Sequence, residues 1–282
     1  MTTSLRNRIL TAVFVCSSLG VVNAKADLLS CGVDLGAAGR TKQWAVFTLG
    51  SNVKQDLTMQ DSASITGDVG AAGTGNVTIQ DSSTINGNLY EHTGGTFTKT
   101  NGAKLNGSKF QNAATDSLLN QAAIDAQNAS DQAFALAVTP AYSSLSNVNL
   151  SGGQNITITG SGCVVLKLQN FTLSNSSTFT LAGTAGTSYV INVSKQFSLA
   201  DSSKIVLGAG INAADVLFNV RGTSRTPIQL SGSSQFNGIL LATKRSVTIQ
   251  DSANVKGEVI ANSVNMSISA KVVTPVTPSS NL

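Results

Sequence analysis

Apolar and polar residues alternate in short bursts along most of the chain, and the bursts recur. Residues 77–89 read VTIQDSSTINGNL, residues 57–69 read LTMQDSASITGDV, and residues 97–109 give a looser copy, FTKTNGAKLNGSK. Four further copies begin at Phe171, Phe197, Ile228 and Val247. Each holds an apolar-polar-apolar triplet, a short polar turn, one apolar residue, and usually Gly with another apolar residue. Start-to-start spacings are 20 and 20 residues in the N-terminal set, then 26, 31 and 19 in the C-terminal set. Alternation of period two marks a strand with one buried face. A unit of about 20 residues cannot bury its own apolar face, but stacked units can, pairing like strands in parallel about 4.8 Å apart. The pattern predicts an all-β fold, a parallel β-helix (β-solenoid) over residues 44–271, with a right-handed coil expected. Leu57, Val77, Phe97, Phe171, Phe197, Ile228 and Val247 form one interior column. Met59, Ile79, Leu173, Leu199, Leu230 and Ile249 form the next, which Lys99 breaks in the weakest copy.

One region departs from this period. Over residues 109–138 the apolar positions Leu119, Ala122, Ala126, Ala129, Ala133 and Leu136 recur at alternating spacings of three and four, which is one stripe of a helix. Thr139-Pro140 ends it. A stripe made mostly of Ala suits close packing on a flat surface. A helix of that extent spans about 45 Å, or about nine coils, so it is expected to lie along the solenoid. Residues 272–282, with two prolines and two serines, read as a flexible tail.

Composition supports this reading. Charged residues are 11% and aromatic residues 5% of the 282, with 26 glycines, which suits tight turns and small side chains rather than a helical bundle. Residues 1–26 resemble an export signal: Arg6 and Arg8, a mostly apolar run from Ile9 to Val22, and the small-x-small site Ala24-Lys25-Ala26. The run is short for a membrane span, so removal is expected over anchoring. Losing Arg6, Arg8 and Lys25 takes the 18 basic residues to 15, against an unchanged 14 acidic ones. The mature chain is nearly neutral, and its charge gives no reason to expect nucleic acid as a partner. Residues 27–43 form an N-terminal segment. Cys31 and Cys163 remain after export to an oxidising compartment, either as one disulfide or as two buried thiols.

Several stretches carry a family resemblance. Ser64-Ile65-Thr66-Gly67-Asp68-Val69-Gly70, the pair Phe236–Ala242 and Val255–Ala261, and Val216-Leu217-Phe218-Asn219-Val220 resemble motifs of two related families of exported proteins. These are the ice-binding-protein-like family and the bacterial surface family called choice-of-anchor A. The resemblance covers roughly residues 44–270 and implies a β-solenoid interrupted after its first coils by one long helix. Its motifs are structural rather than catalytic.

The candidate site is the outward column of the first strand in each repeat: Thr58, Thr78, Thr98, Thr172, Ser198, Gln229 and Thr248. A flat array of hydroxyls and methyls can order water, but Thr also favours strands and pairs well with itself across them. The next outward column contains Gln60, Gln80 and Gln250, whose length counts against a flat ice face. At the turn, Asp61, Asp81, Asn101, Asn175, Asp201, Gly232 and Asp251 interchange, which favours turn chemistry over calcium binding. Arg221, Arg225, Lys244 and Arg245 are candidates for a basic patch. No metal site, cofactor site or catalytic constellation is read from the chain, and the single His92 sits in a Gly-rich loop. The leading expectation is an exported, non-catalytic surface or matrix protein, adhesive toward a glycan, a matrix protein or another extracellular surface, without a stable transmembrane anchor. The alternatives are ice binding through the Thr column, and a polysaccharide-cleaving β-helix.

Overall fold

The computed structural model describes residues 30–39, 43–51, 53–222 and 227–274. The export signal and Arg225 lie outside these residues. Parallel strands stack into a three-faced solenoid of nine rows, linked through continuous registers. On the first face the row order is Asn147, Asn170, Gln196, then the rows of Gln229, Thr248, Asn265, Thr58, Thr78 and Thr98. We call it the Thr face. A second, the Lys face, runs from Asn155–Gly160 to Lys104–Leu105. The third carries the helix.

The chain does not follow the stack in order. Its first strand, Trp44–Thr48, pairs with the strand before it in space, 254–266, through Val46↔Val259. Three coils then run to one end of the stack. The helix returns the chain to the other end, and the remaining coils come back until Lys271–Val273 pairs with Ser64–Thr66. The first and last coils are therefore neighbours in mid-stack. The outward ladder is continuous, but Thr98 ends it and Thr172 lies one row from the opposite end. Asn149 and Asn265 are rungs that the repeat template did not include.

This route sets the helix length. Eight intervals between nine rows span about 38 Å, and a helix of 23 residues spans about 35 Å. The observed helix is Ala113–Ala135, shorter than the expected 109–138. Lys109–Phe110 is instead the last strand of the helix face, paired with Leu89 and Tyr90. Asn112 then caps the helix by accepting the Thr115 N–H. At the far end Thr139 exchanges hydrogen bonds with Val165 (3.0 and 2.8 Å). Residues 272–274 do not belong to the expected tail, whose remainder, 275–282, lies outside the described residues. Val272 is buried and Lys271–Val273 is paired on both edges, so the alternation persists through these residues despite the following prolines.

Both interior columns form as the alternation requires, and Lys99 falls in the exposed end row, where no further row needs an apolar partner. Phe171 stacks on Phe197 at 5.2 Å, and Phe197 meets Phe236 at 6.1 Å. The turns explain the Asp/Asn/Gly position. Asp61 and Ser62 have φ of 53° and 62°, and the same left-handed pair recurs at Asp81-Ser82, Asn175-Ser176, Asp201-Ser202 and Asp251-Ser252. Asn, Asp and Gly tolerate this region best. Each turn donates to the next, as from Ser62 N to Asp81 O (2.9 Å) and from Ser269 N to Asp61 O (2.8 Å).

Candidate functional site

A ligand can reach this molecule only on faces that the protein leaves uncovered. The helix face is covered. Leu119, Ala122, Ala126, Ala129 and Ala133 are fully buried against Val190, Leu217, Ile260, Phe47 and Trp44. The Ala stripe lets the helix approach the sheet closely, and two buried amides fix its position. Asn192 donates to Ala133 O (2.7 Å), and Asn219 donates to Ser130 O (2.9 Å) and Asn192 Oδ1 (2.7 Å), while Ser130 Oγ donates to Asn219 Oδ1 (2.8 Å). Beside the helix lies an N-terminal strap, residues 30–39. Its Ala37 N donates to Asp125 (2.7 Å), Trp44 Nε1 donates to Ala37 O (3.0 Å), and Cys31 is disulfide-bonded to Cys163.

The Thr face is open and uncharged along its central ladder. From end to end the ladder reads Asn149, Thr172, Ser198, Gln229, Thr248, Asn265, Thr58, Thr78 and Thr98. One pair of rungs is joined directly, Thr172 Oγ1 donating to Asn149 Oδ1 (2.8 Å), and Thr78 Oγ1 donates to Gln55 Oε1 beside the ladder (3.4 Å). Beside it, Asn170 donates to Asn147 Oδ1 (2.8 Å) and the hydroxyls of Ser246 and Ser263 meet at 2.7 Å. Gln60, Gln80 and Gln250 lie along the edge next to the turns. All three are half-buried. Gln80 Nε2 donates to Gln60 Oε1 (3.3 Å) and Gln250 Nε2 donates to Asp251 (3.0 Å). The glutamines thus run along the edge of the stack.

The three basic candidates among the described residues, Arg221, Lys244 and Arg245, have different surroundings. Arg221 pairs with Asp131 of the helix (2.8 Å) and lies 4.6 Å over the Phe134 ring. Arg245 is buried, donates to Lys195 O (2.6 Å), and has its pKa lowered by desolvation. Lys244 is exposed. Arg245 lines a cleft of about 580 Å³ with Asn170, Lys195, Gln196 and Gln229, at the edge of the Thr face.

The carboxyl groups whose pKa values are raised are enclosed rather than presented. Asp56 is fully buried, and desolvation raises its pKa from 3.8 to about 6. The Gly75 N–H offsets part of that rise, although neither carboxylate oxygen makes a well-aligned hydrogen bond. Three glycines crowd it: a Cβ on Gly50, Gly73 or Gly75 would stand 2.4, 2.6 or 2.7 Å from Asp56 Oδ1. Burial also raises Glu91, against an ion pair with Lys109 at 3.1 Å, and raises Glu258 well above its ordinary value. His92 Nδ1 accepts from Gly94 N (3.1 Å), a local loop contact. Among the described residues no three His, Cys, Asp or Glu side chains are grouped to hold a metal ion, and no helix is long and apolar enough to cross a membrane. Asn192, Asn219, Asp56 and Glu258 are not among the candidate site residues, although Asn219 and Glu258 fall inside stretches that carry the family resemblance. For three of them a signal was present, a polar residue inside an apolar run: YVINV, VLFNV and GEVIA.

Solved structures share this architecture. A glycosylated ice-binding protein from an Arctic yeast superposes with a TM-score of 0.55 at 19% identity, covering 89% of this chain and 97% of its own. An ice-binding protein from an Antarctic biological consortium gives 0.56 at 18% identity, covering 98% and 97%. The ice-binding protein 1 domain of Shewanella frigidimarina gives 0.51 at 15% identity, covering 86% and 98%. At these identities the likeness is one of fold. No curated protein is significantly similar in sequence. Residues 35–272 match the family described as the ice-binding-like adhesive domain, a span that runs from the strap to the last strand. The chain belongs to the ice-binding-like adhesive domain family.

Proposed function

We propose that this is an exported, non-catalytic protein that binds ice through the Thr face. The observation that carries the reading is the nine-row ladder without a charged rung, on a sheet held rigid from behind by the interior columns. Rungs repeat about every 4.8 Å. A charged side chain would keep its own hydration shell, whereas neutral hydroxyl and amide groups at a fixed spacing can hold water in a repeating order. Thr58, Thr78 and Thr98 supply three such rungs in succession. The half-buried placement of Gln60 and Gln80 at the edge answers the objection raised by their length, and Gln229 is the one long side chain within the ladder. The fold neighbours are described as ice-binding proteins, which supports the same reading. Export agrees with the Cys31–Cys163 disulfide, since such bonds persist in oxidising compartments.

Thermal hysteresis and ice-recrystallisation assays on the mature protein test the proposal. Activity above an inert protein at equal concentration is expected, and behaviour like that control refutes it. A second reading, adhesion to a glycan or matrix surface, has one specific observation in its favour. The end of the Thr face opposite Thr58–Thr98 is rich in amides (Asn147, Asn149, Asn170, Gln196, Gln229), which can pair with sugar hydroxyls. A glycan array without any signal refutes that reading.

A further inference from the structure

The Lys face differs from the Thr face in a way that the ice reading does not use. Its first outward column reads Asn155, Thr178, Lys204, Gln235, Asn254, Lys271, Ser64, Thr84 and Lys104. A lysine falls on every third row, so successive ammonium groups rise from positions about 14 Å apart. Lys256 stands in the second column, one row from Lys271 and diagonal to it at about 8 Å. All four lysines are exposed, and none forms an ion pair with a described residue. No acidic side chain occupies either outward column. Carboxylates flank the columns instead: Asp61, Asp81, Asp201 and Asp251 sit in the turns at one edge, and Asp68, Asp215 and Glu258 sit past the other edge, with Glu258 buried.

A single exposed lysine attracts a small anion weakly in water. A row of them on a rigid sheet about 38 Å long favours a partner that repeats its own charge, because each further contact is made at high effective concentration. Three classes of polyanion differ in what else they need. Nucleic acid calls for stacking aromatics or Arg forks on phosphate, and the outward columns hold neither. An anionic lipid surface calls for large apolar anchors, and the exposed ones, Phe110, Ile124, Phe134 and Ile268, all lie off these columns, whose apolar members Val206 and Val273 are small and half-buried. An acidic polysaccharide needs cations for its carboxylates and amides or hydroxyls for its sugar hydroxyls. Thr157, Thr180, Asn237, Thr66 and Asn86 supply the latter in the second column.

We propose that the Lys face is a second binding surface that takes a linear acidic polysaccharide, with carboxylates on Lys204, Lys256, Lys271 and Lys104. The Thr face meets it only at the turn edge, so both faces can be occupied at once. This inference stands whether or not the Thr face binds ice.

The test uses the disulfide-intact mature protein and surface-immobilised alginate, with neutral dextran, DNA and phosphatidylglycerol vesicles in parallel. Binding to alginate at about 50 mM NaCl is expected to weaken strongly by about 500 mM, as charges separated by more than a Debye length become screened. Lys204→Gln/Lys256→Gln/Lys271→Gln is expected to weaken it about tenfold, and the corresponding Lys→Arg triple variant to retain it. These are surface positions, so unchanged melting and thermal hysteresis accompany the loss. Equal binding by the Gln variant and the parent, equal binding to dextran, no binding to alginate, or stronger binding to DNA or vesicles each overturns the proposal.

Discussion

Removing the Cys31–Cys163 disulfide perturbs a link whose effect can be worked from chain topology. The two residues are 132 positions apart. In the chain-entropy account, closing a loop of that length destabilises the unfolded state by about 5 kcal/mol at 25 °C. Cys31 opens the strap, and Cys163 opens the end row of the helix face. The bond therefore joins the strap that flanks the helix to the edge of the stack. Without it, Ser30 Oγ to Gly186 O (2.6 Å), Asp34 N to Gln132 Oε1 (3.0 Å) and the buried Val33 and Leu35 still hold the strap. Calorimetry on Cys31→Ala/Cys163→Ala against the oxidised parent is expected to show a fall in Tm of about 10–20 °C, taking about 2–4 °C per kcal/mol for a chain of this size. The fluorescence of the single tryptophan, Trp44, reports whether the strap leaves first, because its indole donates to Ala37 O and is fully buried. A Tm within about 3 °C of the parent, with unmoved Trp44 emission, would refute the loop-entropy reasoning.

Three other predictions test the packing. Asp56 has a folded pKa raised from 3.8 to about 6, so it favours the folded state most below pH 3.8, and that contribution is lost as pH rises toward 6. The loss has an upper limit of about 3 kcal/mol. Asp56→Asn is expected to flatten the pH dependence of the urea midpoint across this window, and an unchanged slope contradicts the assignment. Asn219→Ala leaves Asn192 and Ser130 short of partners and is expected to cost about 1–3 kcal/mol in urea unfolding; a neutral result would mean the buried amides do not fix the helix. Ile268 holds φ of 49° while half-exposed, where a β-branched residue is strained, so Ile268→Asn is expected to stabilise by about 1 kcal/mol, and destabilisation argues against the turn assignment.

The parts of this fold that were legible in the sequence are those with a local cause. Alternation placed Val77 and Ile79 inside and Thr78 outside, and the interchange of Asp, Asn and Gly marked turns that need left-handed backbone. The Ala stripe marked the helix and its packing face. What was not legible depends on partners distant in sequence. Val46 pairs with Val259, a neighbour that no short pattern announces, so the mid-stack meeting of first and last coils was missed. The last coil hides itself further, since its turn is Ile268-Ser269 rather than Asp-Ser. The strand Lys109–Phe110 leaves no mark in the pattern, because two residues are too few to show a period. On the candidate site, the Thr column was legible as strand chemistry. The lysine column was not, because its members come from three separate parts of the chain and acquire their three-row spacing only once the coils are ordered.

The central claim is that one face, the Thr face, meets ice. Thermal hysteresis of Thr78→Lys and of Thr84→Lys compares the same change on two adjacent faces: Thr78 is a ladder rung, and Thr84 lies in the lysine column. Both substitutions are at partly exposed positions and add one flexible cation. Loss of hysteresis in Thr78→Lys with parental activity in Thr84→Lys is the predicted result. Parental activity in Thr78→Lys, with loss in Thr84→Lys, would contradict the account.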